Sequence, residues 1–117
     1  MRRRELIQRT RPFALRSIKL LASLPRNLFG DVFGRQILKS ATSIGANYRE
    51  ALGASSKRQF ISMIEIAQRE ADETLYWLEL LAESGIVKAA LLKELTQECR
   101  ELLAILAATG RTAKRRK

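Results

Sequence analysis

The sequence contains no histidine, a single cysteine, two prolines and six glycines among 117 residues. Without histidine, neither a Ser-His-Asp triad nor a Cys-His pair can be built, and zinc sites that use imidazole are excluded as well. The lone Cys99 cannot form an internal disulfide, so nothing requires an oxidising compartment. We therefore predict a protein that is not an enzyme and that uses neither a metal nor another cofactor.

Long hydrophobic runs are also missing. The longest uninterrupted apolar stretch is Leu102–Ala108, far short of the roughly 20 residues that a membrane-spanning helix needs. No apolar stretch of signal-peptide length follows the basic start of the chain. With so few glycines and prolines, a low-complexity chain is not indicated either. We predict a single-domain cytoplasmic protein that has no membrane partner.

What the sequence does have is positive charge, and most of it lies at the two ends. The formal net charge is +10. Residues 1–11 contain five arginines and one acid, and residues 111–117 contain five basic residues and no acid. Basic ends of this kind bind polyanions by releasing counterions. The predicted organisation is a basic N-terminal extension over 1–11, a folded body over 12–109 and a basic tail over 110–117, with both ends expected to be disordered in isolation.

The body shows helical periodicity in four segments, about 10–24, 35–52, 56–83 and 88–108. Thr10 is predicted to cap the first helix, with Pro12 in its first turn. In the last segment, apolar residues recur at alternating spacings of three and four, the pattern of a bundle seam: Leu92, Leu95, Cys99, Leu102 and Leu106. Strand-like alternation is absent over any useful length. These patterns predict an all-α, antiparallel, up-down four-helix bundle.

The third segment carries more apolar surface than one core requires. Between positions 60 and 67 its apolar residues span an arc of about 220°, whereas a helix that faces one core needs little more than about 100°. The excess predicts self-association through this helix, at Tyr76, Trp77, Leu80 and Leu81. The alternative is that the first helix or the 26–34 linker covers the second face.

Glu70 interrupts the apolar arc of the third helix, and Glu73 lies at its edge. A buried carboxylate has to be paired or hydrogen-bonded. The candidate donors on the second helix are Ser43, Asn47, Tyr48 and Arg49, which predicts a structural polar network between the two helices. The alternative, a metal or acid–base role for these carboxylates, is disfavoured because no histidine and no second pair of carboxylates is available.

Two blocks of sequence, Asn47–Glu50 and Glu70–Trp77, resemble the four-helix-bundle proteins of the 23S ribosomal RNA intervening-sequence group over about residues 12–108. The resemblance implies a small bacterial bundle that assembles as a barrel-like homopentamer. Relatives include the accessory variability determinant of diversity-generating retroelements, which binds nucleic acid and a reverse transcriptase. The positions that match family motifs are Ser43, Asn47, Glu50, Glu70 and Glu73, and the resemblance assigns them no catalytic role. Gln59 stands where an acidic residue is common.

Charge and resemblance together predict a homopentamer that binds RNA or DNA electrostatically and without sequence preference, as an accessory factor of a retroelement or of a ribosomal RNA insertion. The expected contacts on the ends are Arg2, Arg3, Arg4, Arg9, Arg11, Arg111, Lys114, Arg115, Arg116 and Lys117. On the body they are Arg16, Lys19, Arg35, Lys39, Lys57 and Arg58. No stacking platform is expected, because the few aromatic residues are assigned to the core.

Two alternatives are compatible with the sequence, and a third is weaker. The chain is alternatively a protein-binding scaffold that docks a partner such as a reverse transcriptase. The basic ends are alternatively no more than a solubilising charge. The third is a peripheral membrane protein whose basic ends contact anionic lipid, which the even ring of polar residues and core positions on the first helix does not favour.

Overall fold

A computed structural model describes residues 3–116, and this part of the chain contains four α-helices and no strand. The helices are α1 (Arg3–Ala22), α2 (Leu28–Leu52), α3 (Lys57–Ser84) and α4 (Ala89–Arg115). Short turns join them, so neighbouring helices run antiparallel, and α1 and α3 each pack against both α2 and α4. The prediction of an all-α four-helix bundle is confirmed.

The core follows the predicted helical stripes. Each of the five seam positions of α4 is buried, with Cys99, Leu102 and Leu106 fully inaccessible. The stripe of α2 that includes Ile37 and Ile44 is buried in the same way. Burying side chains of this size contributes roughly 1.5–3 kcal/mol each. The resulting rod measures 49 × 21 × 20 Å.

Turn residues set where α2, α3 and α4 begin and end. Asn27 caps α2, with its Oδ1 accepting a hydrogen bond of 3.0 Å from the Gly30 amide, so this helix starts at Leu28 rather than at residue 35. Ser56 caps α3, because its side-chain oxygen accepts a hydrogen bond of 3.1 Å from the Gln59 amide. Gly85 ends α3 in the left-handed conformation, with φ of 77°.

Helix α1 begins at Arg3, seven residues before the predicted start, and Pro12 lies in its interior. A proline there removes one hydrogen bond of the helix and costs about 3 kcal/mol. Tertiary contacts on the first two turns offset this cost, because Leu6 and Thr10 are almost completely buried. The prediction of a disordered extension over 1–11 is therefore wrong for residues 3–11.

Helix α4 continues past Gly110 to Arg115, so the predicted tail over 110–117 is helical for most of its length. Gly110 does not end the helix because it is buried against α3: a Cβ at this position would lie 3.6 Å from Cγ2 of Ile64. One turn later, Lys114 Nζ lies 3.1 Å from a carboxylate oxygen of Glu65. These contacts tie the end of α4 to the start of α3.

The wide apolar arc of α3 is mostly covered within the chain. Helix α2 packs on one side of α3 and helix α4 on the other. Along the whole of α3, only Tyr76 and Leu80 remain as exposed large apolar side chains. The arc width therefore does not by itself require a second subunit, because α2 and α4 cover α3 from two sides. Part of the cover comes from the predicted 26–34 linker, since its Phe33 lies in the first turns of α2 and packs against Trp77.

Candidate nucleic-acid interface

Up-down topology brings both termini of the described chain to one end of the rod. We call this region the basic end: the first turn of α1 (residues 3–6), the α2–α3 connection with its flanking turns (49–60) and the last turns of α4 (108–116). It carries nine basic side chains and two acidic ones, Glu5 and Glu50. The opposite end, residues 19–35 and 79–94, carries five basic and four acidic residues. The charge of the molecule is therefore strongly polarised along its long axis.

The fold divides the predicted nucleic-acid contacts into two groups. Those at the basic end are Arg3, Arg4, Lys57, Arg58, Arg111, Lys114, Arg115 and Arg116. Those along the remaining length of α1 and α2 are Arg9, Arg11, Arg16, Lys19, Arg35 and Lys39. Arg2 and Lys117 lie outside the described residues. Sequence reasoning missed Arg49, an exposed residue in the last turn of α2, because only the topology places it beside the termini.

Arg9 is committed to an ion pair within the chain and is the weakest of the predicted phosphate contacts. It pairs with Glu98, where Nε donates to Oε2 at 3.0 Å and Nη2 donates to Oε1, and Nη2 also lies 2.9 Å from Glu101. The hydrogen bond to Glu98 is the main reason that the pKa of Arg9 is raised further above its ordinary value. The same contact network lowers the pKa of Glu101, chiefly through its hydrogen bond with Arg9. Arg9 therefore holds α1 on α4 rather than presenting a free charge.

A second contact fixes the first turn of α1 from the α2 side. The Tyr48 hydroxyl donates a hydrogen bond of 3.3 Å to the carbonyl oxygen of Arg3. Burial is the main cause of a raised pKa for Tyr48, opposed by the nearby charge of Arg3. The guanidinium carbon of Arg3 in turn lies 6.0 Å from the centroid of the Phe60 ring, within cation–π range. Arg3 is thus held at the basic end by contacts with two other helices.

The predicted polar network between α2 and α3 does not form from the predicted residues. Ser43 and Asn47 each bond to a backbone carbonyl of their own helix, Lys39 and Ser43 respectively. Glu50 and Glu73 are exposed. The polar contact that does cross the interface joins Ser40 and Thr74, whose hydroxyl oxygens lie 2.8 Å apart. Both side chains are completely buried.

Glu70 itself is left without a partner among the described residues. One of its carboxylate oxygens, Oε2, is buried and accepts no hydrogen bond. Burial is the main cause of a raised pKa for this carboxyl, with repulsion from Glu73 adding to it and attraction from Lys39 and Arg69 opposing it. Within residues 3–116 no group of three or more Cys, Asp or Glu residues is arranged to hold a metal ion.

The predicted association surface is only partly exposed. Leu81 is completely buried in the core, so its assignment to an interface is wrong. Trp77 is half-buried against Phe33, with the ring centroids 5.8 Å apart in an edge-to-face arrangement. Tyr76 and Leu80 do face outwards.

On α2, Phe29 lies one turn before Phe33 and Val32 lies beside it, and both are exposed. We call the four exposed residues that flank the Phe33–Trp77 pair the apolar patch: Phe29, Val32, Tyr76 and Leu80. None of the helices described combines the length and apolar character required to cross a bilayer.

Both the sequence and the fold of this chain are similar to those of known proteins. The family model of the 23S rRNA-intervening sequence protein matches residues 2–108. A crystal structure of a protein of unknown function from the S23 ribosomal protein family of Bacteroides thetaiotaomicron is similar, with a TM-score of 0.87 and 34% sequence identity over 95% of this chain and 99% of that one. No curated protein matches the chain. The family model also covers residues 2–11, which the resemblance from sequence had left outside. On this evidence the chain belongs to the 23S rRNA-intervening sequence protein family.

Proposed function

We propose that this protein is a non-enzymatic, nucleic-acid-binding protein that contacts phosphates through its basic end. The observation that supports this most strongly is the gathering of nine basic side chains from three separate stretches of sequence at one end of the rod. Phosphate neutralisation by Lys and Arg releases condensed counterions and needs no preformed pocket. The mechanism is electrostatic and independent of base sequence, and it applies to RNA and DNA alike.

Association of several subunits would strengthen this contact. We propose that the chain forms a homo-oligomer, with the pentamer implied by the family resemblance as the expected size. The support from the fold is the apolar patch, where Phe29 and Tyr76 expose 63% and 57% of their surface. Exposed apolar residues that adjoin one another mark interaction surfaces. Repeating one basic end in each subunit raises the effective concentration of phosphate contacts.

The nucleic-acid proposal is tested with two triple variants that remove the same charge from opposite ends. Arg58→Ala, Arg111→Ala and Arg115→Ala change the basic end, whereas Arg26→Ala, Lys88→Ala and Lys93→Ala change the other end, and all six side chains are exposed. Affinity for an RNA and for a DNA duplex is measured by fluorescence anisotropy over a range of salt concentrations. The basic-end variant should lose up to about 2–3 units of the log–log salt slope, at roughly 0.9 per lost contact, while the control stays close to the wild type.

An equal loss of salt slope in both triple variants would show that nucleic acid is attracted by the net charge of the protein and not by its basic end. Binding that does not respond to salt would overturn the proposal. In that case the basic residues act as a solubilising charge.

The oligomer proposal has its own test. Tyr76→Lys or Leu80→Lys should give smaller species in sedimentation velocity. Leu91→Lys, at a residue that exposes 69% of its surface on α4, is the matched control and should leave the size unchanged. A wild type that is monomeric at micromolar concentration would contradict oligomerisation without affecting the nucleic-acid test.

The scaffold that docks a partner such as a reverse transcriptase remains the second candidate, because the apolar patch suits a foreign helix as well as a second copy. It predicts a monomer that still retains a defined partner protein in a pull-down after nuclease treatment. Variants of the apolar patch should lose that partner.

A further inference from the structure

A cleft of roughly 570 Å³ opens at the basic end, between the first turns of α1 and the last turns of α4. Side chains of Tyr48 from α2 and Phe60 from α3 contribute to its lining, so all four helices meet there. Leu6 and Ile105 supply apolar wall. The cleft therefore combines an apolar interior with the most basic part of the molecule.

Charge is present in this cleft in one sign only. Arg3, Lys57 and Arg116 line it, and no acidic side chain does. Hydroxyl groups of Thr109 and Thr112 are also part of the lining, and the Thr109 hydroxyl donates to the Ile105 carbonyl at 2.8 Å, which leaves its oxygen free to accept. Three cations without a carboxylate favour an anion with several oxygens, such as a phosphate.

The apolar part of the cleft narrows the choice of anion. The Phe60 ring is half-buried, and the Arg3 guanidinium that lies over it at 6.0 Å is attached to the first turn of α1. A planar base with an attached phosphate matches this pair of features, because base–aromatic stacking tolerates any base, and the Arg3 guanidinium, displaced from the ring by the base, would pair with the phosphate. A paired base inside a duplex is already stacked on its neighbours and cannot enter.

We propose that this cleft binds one unpaired nucleotide of a single-stranded RNA or DNA, with the base against Phe60 and the phosphate held by Arg3, Lys57 and Arg116. The inference rests on the proposed nucleic-acid function and adds a preference for unpaired strands. Charge alone predicts the opposite order, because a duplex has the higher phosphate density and the steeper counterion release. The expectation from sequence that no stacking platform exists is thereby replaced by a specific candidate.

The first experiment compares an unstructured oligothymidine with a blunt duplex that carries the same number of phosphates, by fluorescence anisotropy at matched salt. The wild type should bind the single strand at least about fivefold more tightly, the gain expected from one stacked base. Phe60→Leu keeps the apolar volume and the charge, so it should abolish this preference while leaving the salt slope unchanged. Leu91→Ala removes an apolar side chain at an exposed position near the opposite end, outside the apolar patch, and should keep the preference.

A second measurement does not depend on variants. Thymidine 5′-monophosphate is titrated into the wild type and followed by amide NMR shifts, with thymidine as the control that lacks the phosphate. Shifts should concentrate at Phe60 and Thr112 and require the phosphate. Shifts confined to other parts of the molecule would overturn the site.

Failure of this proposal is distinguishable from failure of the proposed function. A wild type that binds duplex at least as tightly as single strand, with a normal salt slope, overturns the cleft and leaves electrostatic binding intact. Absence of binding to either oligonucleotide overturns both. Binding to phosphatidylglycerol vesicles in the absence of oligonucleotide binding would identify the anion as a lipid headgroup and would also overturn the proposal.

Discussion

Arg9 and Glu98 pair across α1 and α4 with two side-chain hydrogen bonds, although they are separated by 89 positions in sequence. Both side chains are largely shielded, with 28% and 19% of their surface exposed. A charge-assisted, two-point pair of this kind is stronger than an ordinary surface ion pair. It holds the N-terminal turns of α1 in place on the side of Pro12 where the helix would otherwise fray.

We expect Glu98→Gln to destabilise the protein by about 1–2 kcal/mol, because Arg9 loses its charged acceptor in a partly shielded position. The loss should appear in thermal unfolding and as faster hydrogen exchange of the amides in residues 6–9. Glu79→Gln is the control, since the Glu79–Arg100 pair is more exposed and should contribute less than about 0.5 kcal/mol. Equal effects from the two substitutions would show that the Arg9 pair does not anchor α1.

Glu70→Gln should stabilise the isolated subunit by about 1 kcal/mol at neutral pH, because it removes a charge from a carboxyl that has a buried oxygen without a partner. The raised pKa of Glu70 means that the folded protein holds this proton more tightly than the unfolded chain does. The contribution of Glu70 to the free energy of unfolding is therefore most favourable at low pH. It becomes less favourable as the pH rises through the pKa values of the unfolded and folded states. The gain from the substitution should accordingly shrink on acidification.

The Glu70 measurement is made by thermal unfolding at two pH values and at a concentration where the protein is monomeric. Glu73→Gln provides the control, since Glu73 is exposed. A loss of stability from Glu70→Gln at neutral pH would mean that the carboxylate has a favourable partner after all.

Gly110→Ala should stabilise the protein by about 0.5–1 kcal/mol, because the glycine is inside α4 and the added methyl group makes an ordinary contact of 3.6 Å with Ile64.

Gly30→Ala should have the opposite effect and destabilise the protein. Its methyl group would lie 1.8 Å from the Pro25 carbonyl oxygen, so backbone has to move, and we expect a loss of about 2–3 kcal/mol. Chemical denaturation of both variants measures the two effects, and a destabilised Gly110→Ala would show that the methyl group does not fit against Ile64.

Cys99 should be unreactive in the native protein. Its thiol is fully buried and donates to the Ala71 carbonyl at 3.3 Å, and burial raises its pKa to about 12. A thiol reagent at mildly alkaline pH should therefore react at the rate of unfolding. Since the unfolded pKa is about 8.5, this group contributes stability that is complete below that pH and is lost as the pH rises towards the native value. Cys99→Ser keeps a hydrogen-bond donor but removes the titrating thiol. The loss of folding stability over this pH range should therefore be absent in the variant.

The parts of the fold that follow from local sequence patterns were predictable, whereas those that depend on contacts between distant residues were not. The seam of α4 and the stripe of α2 were found because their spacing is local and repeated. The start of α1 was predicted too late because Thr10 and Pro12 are residue types typical of a helix start. The helical stripe of buried residues nevertheless continues towards the N-terminus. Leu6 and Thr10 lie seven residues before Phe13 and Ser17, and both are buried, so that spacing was the signal that could have extended the helix.

The site was harder to predict than the fold. Basic character at the ends was visible in the composition, but its concentration at one end follows from helix order and length. Arg9 shows the limit most clearly, because its acceptor in α4 can only be recognised in three dimensions. The Ser40–Thr74 contact is likewise recognisable only in three dimensions, because its two uncharged residues lie on different helices.

An even number of antiparallel helices returns the polypeptide to its starting side, so Arg3 and Arg116 line the same cleft. Anything fused to either terminus, such as an affinity tag or a fluorescent label, begins next to the surface proposed to meet phosphates. At either terminus, an acidic tag would compete with phosphates for the basic end, and a polyhistidine tag would itself attract phosphates. A label inserted in the turn at residues 85–88 would instead report from the far side of the rod.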